Sequence, residues 1–257
     1  MISQANTYKA GVDSLLKSTS KKNERWFPIP IDRYRAQMIY GYFSNMQIQY
    51  KSNIAYSLQH LEFLEILLRD LNLTSVLYTQ IIKNYVIISV SIIEMLFFQI
   101  AKHEGKIKKI EWRQIIAQDK NTYNDKGKKY RRAEVIYEKL DTPEDTIPTF
   151  ETLIQIVKDN NFLKSTDMGK FKPILKIYRQ LRNKVHLSAA TSQSESDYNS
   201  FDWKVYFRVK LLLFSILNDI SFGLPLQHPL FTQLLDVTKQ QIKHYRDTYN
   251  ITYRWTD

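Results

Sequence analysis

A chain of 257 residues with no cysteine excludes disulfides, thiolate metal sites and cysteine nucleophiles. Only 6 glycines and 7 prolines stand against 44% hydrophobic residues, too few turn formers for an all-β fold but enough apolar surface for a sizeable core. The net charge of +11 points to polyanions, either nucleic acid or an anionic surface, although a lysine-rich proteome gives the same surplus.

Residues 1–18 lack the uninterrupted apolar stretch of a secretory signal, and the expected compartment is the cytoplasm. Residues 7–18 have the pattern of a short amphipathic helix. Pro28 and Pro30 then force an extended segment. Helices are expected at about 32–45 and 52–71. In the second, Ile54, Leu58, Leu61, Leu64, Leu68 and Leu71 recur at three- and four-residue steps. After a break at 72–74, with Thr74 or Ser75 as the cap, a further helix runs to about His103, and Gly105 stops it. So short a break implies an antiparallel helix pair. The apolar run 85–100 is shorter than the ~20 residues of a membrane span and contains Glu94, so it is expected as a core helix with no membrane.

Residues 106–149 differ in character. From Lys102 to Arg132 there are 11 Lys or Arg against 4 Asp or Glu, which is +7 of the total charge. They suggest a basic insertion between helices of a bundle, with a helix at about 132–140 and an acidic loop after it. Further helices are expected at 149–160, 171–186 and 202–220, and a last one from Pro229 to about Tyr249. Residues 188–200 form a polar, serine-rich linker. The expected fold is therefore all-α, an up-and-down bundle over 51–222 with the basic insertion at about 104–149. A helical extension precedes it (1–50) and a C-terminal helix follows (223–257).

Chemistry concentrates in residues 174–186. At about 100° per residue, Ile174, Tyr178, Leu181 and Val185 share a stripe expected to face the core. Leu175, Arg179, Arg182 and His186 form a second stripe about 100° round, with Asn183 at its border. Two guanidiniums grip phosphate oxygens and stabilise developing charge. An imidazole moves a proton to or from a ribose 2′-hydroxyl or a leaving oxygen near neutral pH. Together they suit metal-independent RNA cleavage by attack of the 2′-hydroxyl, with no cofactor. The plainer alternative is two solvated arginines and a histidine that favours the helix C-terminus.

The run Leu181-Arg-Asn-Lys-Val-His-Leu187 resembles the signature of the HEPN superfamily, in which an arginine, often followed by a polar residue, is separated from a histidine by four to six intervening residues. That resemblance implies a helical bundle, His186 as the catalytic histidine and Asn183 as the polar neighbour. It also implies a homodimer whose two motifs form one ribonuclease site, acting as a toxin or antiviral-defence effector, with an antitoxin or defence-complex protein as a possible partner. The arginine is open. Arg182 precedes Asn183 but has only three intervening residues before His186, one fewer than that range, whereas Arg179 has six and is followed by Gln180.

Glu94 shares an arc with Asn84 and Ser91, and a carboxylate on an apolar helix needs a partner, for which Arg179 or Arg182 would serve. A plain helix–helix ion pair fits equally. Lys126, Lys128, Lys129, Tyr130, Arg131 and Arg132, with Tyr123 nearby, form a basic and aromatic cluster that can track an RNA backbone, or is simply a solvated loop. His60, His103, His228 and His244 lack paired metal-ligand spacing, so no metal is expected. Besides a ribonuclease, the sequence allows a non-catalytic RNA- or protein-binding module. It also allows a scaffold in a larger complex docked through Trp26, Phe27, Tyr34, Tyr40, Tyr42 and Phe43.

Overall fold

The apolar run at 85–100 lies inside a 29-residue helix, α3 (Ser75–His103), against which α2, α4, α5 and α7 all pack. In this computed structural model, which describes residues 27–184 and 196–223, α1 (Ile31–Gln37) leads through a 3-10 turn at Gly41–Phe43 into α2 (Ile48–Asp70) and then α3. A two-stranded antiparallel hairpin follows, β1 (Lys109–Asp125) and β2 (Lys128–Asp145). The chain returns to helix with α4 (Phe150–Asp159), α5 (Met168–Asn183), α6 (Asp197–Ser200) and α7 (Trp203–Leu217), and a 3-10 turn at Ile220–Phe222 closes it.

The core forms around α3 because burial runs round most of its circumference. Ile82, Val86, Ile93, Leu96, Phe97 and Ile100 have no exposed surface. A helix covered on several sides needs no polar face. By length and composition α3 is the one described helix that passes as a membrane span, and more than half of that stretch is buried within the protein. On α2 the stripe Ile54, Leu58, Leu61, Leu64 and Leu68 is buried, while Leu71 falls just past the helix end. Each such side chain contributes about 1.5–3 kcal/mol relative to exposure, which holds α2 against α3.

The expectation of an all-α fold is overturned by the hairpin. Residues 132–140, expected as a helix, belong to β2. Two local features drive the strand. Lys126 and Gly127 both have positive φ (46° and 76°), the pattern of a two-residue turn whose twist matches the flanking strands. Cross-strand pairs then zip it: Tyr123 stacks on Tyr130 with centroids 5.5 Å apart, Lys139 lies over the Trp112 ring, and Arg113 bridges Glu144 at 2.5 Å. With 17 and 18 residues per strand the hairpin is roughly 55 Å long. At its base Lys102 on α3 pairs with Asp145 at 2.9 Å, and Thr146 donates to the Lys108 carbonyl through both its N–H and its hydroxyl.

Other boundaries shift for identifiable reasons. The helix expected over 32–45 is only α1, because Gly41 takes φ +52° to start the next turn. A Cβ there would lie 2.2 Å from the Ser221 carbonyl oxygen, so the two 3-10 turns meet backbone to backbone. Thr74 occupies the N-cap of α3 without a side-chain cap bond, whereas Thr149 caps α4 by accepting from the Thr152 N–H. The helices expected at 7–18 and 229–249 lie outside the described residues, as does the linker through 195.

The start of α5 is fixed by two carboxylates. Asp167 caps it, accepting from the N–H groups of Gly169 and Lys170. Asp219, 1% exposed, sits under the preceding loop. It accepts from the N–H of Lys164 (3.0 Å), Ser165 (2.9 Å), Thr166 (2.7 Å) and Ser221 (2.9 Å), and from the Ser165 and Ser221 hydroxyls. Burial by itself would raise its carboxyl pKa. The donors of Ser221, Lys164 and Thr166 outweigh that and hold it below the ordinary value.

Candidate active site at the end of helix α5

Helix α5 buries Met168, Phe171, Leu175, Tyr178 and Leu181. The expected core stripe is therefore rotated: Leu175 is fully buried, while Ile174 is only partly covered. Pro173 lies inside the helix, and Tyr178 locks the rotation by donating from its hydroxyl to the Val205 carbonyl at 2.6 Å, where α7 begins. Arg179 and Arg182 consequently flank the core, each about a third exposed.

The two arginines reach different carboxylates. Arg182 forms an ion pair and hydrogen bond with Glu94 of α3. Arg179 lies 3.5 Å from Glu151, in the first turn of α4, and shares it with Lys176 at 3.0 Å. The Glu151 carboxyl is held below its ordinary value, first by the Lys176 hydrogen bond against a smaller desolvation effect, then by the charges of Lys176, Arg179 and Lys172. Arg179 is thus one of several cations around one acid. Arg182 has a carboxylate opposite it on another helix, a geometry that fixes where its guanidinium points. As a cation in the last turn of α5 it also faces the favourable end of the helix dipole.

Asn183 is exposed in that last turn. Lys184 follows, its ammonium 2.6 Å from the Ser200 hydroxyl of α6. His186, the residue expected to transfer protons, lies outside the described residues, as do Val185 and Leu187. Of the arc on α3, only Glu94 meets α5. Ser91 spends its hydroxyl on the Ile87 carbonyl at 2.8 Å, and Asn84 is exposed.

The second expected site forms the hairpin tip. Lys126, Lys128, Lys129, Tyr130, Arg131 and Arg132 are all exposed there, with Tyr123 paired opposite Tyr130. Arg182 and Asn183 are thereby placed on the bundle and the basic cluster on an arm projecting from it. Among the described residues no group of three or more His, Asp or Glu side chains converges as a metal site.

Two features escaped the sequence reading. Glu151 was one, although an acid at the second position of α4, just after a capping threonine, is a helix-start signal. The other is a polar cluster beside a cavity of about 220 Å³ lined by Tyr42, Tyr50, Gln99 and Lys102. There Glu104 accepts from the Tyr42 hydroxyl at 3.1 Å and lies 3.2 Å from His103 Nδ1, while His103 Nε2 lies 3.0 Å from the Asn45 amide. Burial and then Glu104 push the Tyr42 hydroxyl up to about 12. Nothing in the spacing of residues 42, 45, 103 and 104 announces this cluster.

Comparison with family models, with characterised proteins and with solved structures finds no match for the chain.

Proposed function

We propose that this protein binds RNA and cleaves it at a site on the C-terminal end of α5, as a metal-independent endoribonuclease of the HEPN kind. The observation that carries this reading is the Glu94–Arg182 pair. A carboxylate on the core helix orients one guanidinium at the helix end, with Asn183 beside it and His186 four residues on in sequence. The same observation favours Arg182 over Arg179 as the phosphate-binding arginine.

In the proposed reaction His186 removes the proton from a ribose 2′-hydroxyl. The 2′-oxygen attacks the adjacent phosphorus and the bond to the 5′-oxygen breaks. That oxygen leaves with a proton taken from the solvent, to which the His186 imidazolium releases its own, giving a 2′,3′-cyclic phosphate and a 5′-hydroxyl. Arg182 stabilises the charge gathering on the phosphoryl oxygens, and Asn183 orients the phosphate. Ile177, exposed on the outward face of α5, offers an apolar contact for a second copy, in keeping with a homodimer that shares one site. The biological setting in this reading is a toxin or defence effector in the cytoplasm.

The test is incubation of purified protein with labelled RNA in EDTA. Cleavage leaving cyclic phosphate ends, lost in His186→Ala and lowered about 10²–10³-fold in Arg182→Ala, supports the reading. Wild-type protein that leaves RNA intact, or His186→Ala that cuts at the wild-type rate, refutes it. The hairpin tip favours a second reading, a non-catalytic RNA-binding module. It predicts salt-sensitive binding that His186→Ala leaves unchanged, with no cleavage.

A further inference from the structure

From the hairpin geometry we infer that the arm is a wedge for a double-helical RNA stem whose deep groove is opened by a bulge. This inference rests on the RNA-binding reading and adds to it the class of RNA recognised.

The argument turns on which side of the ribbon each cation occupies. Side chains alternate along a strand, and directly paired residues share a face. The register places Lys128, Tyr130 and Arg132, with their partners Asp125, Tyr123 and Asn121, on one face of the tip. Lys129 and Arg131, opposite Asn124 and Thr122, occupy the other, and Lys126 stands at the turn. Five cations within seven residues are therefore divided between both faces and the point, and all are exposed.

A ribbon laid along one single strand needs positive charge on one side only. Charge on both sides fits an occupant walled by phosphates left and right, which is the situation inside a groove. Two strands about 4.8 Å apart make a body that a wide major groove admits. Unbroken RNA duplexes have a deep major groove too narrow to enter, so the stem must be widened, as it is at a bulge. An unpaired base at such a bulge meets the stacked Tyr123–Tyr130 pair, 55% and 41% exposed, as a stacking platform.

The experiment uses the full chain carrying His186→Ala, so that cleavage does not consume the probe. Binding is measured to a 20-base-pair RNA stem with a three-nucleotide bulge, the same stem unbroken, a single strand of the same sequence and the matching DNA duplex. The bulged stem is expected to bind at least tenfold more tightly than the other three. Lys128→Ala/Arg132→Ala on one face and Lys129→Ala/Arg131→Ala on the other are each expected to weaken it by about tenfold or more and to flatten its salt dependence. Equal or tighter binding of the single strand, the unbroken stem or the DNA overturns the wedge, as does a double variant on either face that binds normally. Failure to bind any nucleic acid overturns the RNA-binding reading itself.

Discussion

Asp219 offers the sharpest quantitative prediction, because one buried carboxylate gathers the loop that launches α5. Replacing it by alanine removes the acceptor for four backbone N–H groups and two hydroxyls. Lys164 and Ser165 are exposed and regain water, but Thr166 is buried and its N–H does not. One orphaned buried donor costs about 1–3 kcal/mol, and the lost charge-assisted bonds bring the total to about 3–5 kcal/mol. Asp219→Asn keeps one accepting oxygen and should cost less, about 2–4 kcal/mol. The sign of the pH effect follows from the lowered pKa. The unfolded carboxyl titrates near 4, so this stabilisation is fully present above that pH and is lost as the pH falls through the lower folded value. Urea denaturation of wild type and both variants between about pH 2 and pH 7 measures it. The gap between wild type and Asp219→Asn should narrow on acidification. A cost under about 1 kcal/mol for Asp219→Ala, or a gap independent of pH, refutes the reasoning.

Glu94→Gln should lower RNA cleavage by about tenfold or more by loosening Arg182, while stability moves by less than about 1 kcal/mol because both side chains are partly exposed. Single-turnover cleavage and melting check the two halves, and its loss should not add to that of Arg182→Ala. Replacing residues 110–144 by a short Gly-Ser link should leave the melting temperature within a few degrees, since the hairpin is exposed almost throughout, and should abolish stem binding. Gly41→Ala, which forces a Cβ to within 2.2 Å of the Ser221 carbonyl at positive φ, should cost about 2–4 kcal/mol in urea denaturation.

The helices were legible wherever burial is one-sided and periodic, as on α2 and α4. The hairpin was not, because neither of its faces is buried. Without a core face, selection for alternating apolar and polar residues disappears, and the Ala133-Glu134 pair with its charged neighbours passes for helix. What remained to be read was residue type: Trp112, Ile115, Ile116, Thr122 and Tyr123 on one side of Lys126-Gly127, and Val135, Ile136 and Tyr137 on the other. At the candidate site the sequence supplied the residue types and their helical spacing. It did not supply the direction of each guanidinium. That depends on which acid the packing of α3 and α4 brings within reach, a tertiary fact with no local trace.

A ribbon of two strands has no interior, so β1 and β2 are both edges, and each leaves a row of backbone donors and acceptors unclaimed over its length. Such a template invites strands from other molecules. The register slips between Ile110 and Trp112, between Gln114 and Ile116, and between Asp119 and Asn121, so no long straight stretch of either margin is left for a foreign strand to align with. Straightening the ribbon by deleting those irregularities would be expected to make the protein polymerise through its arms.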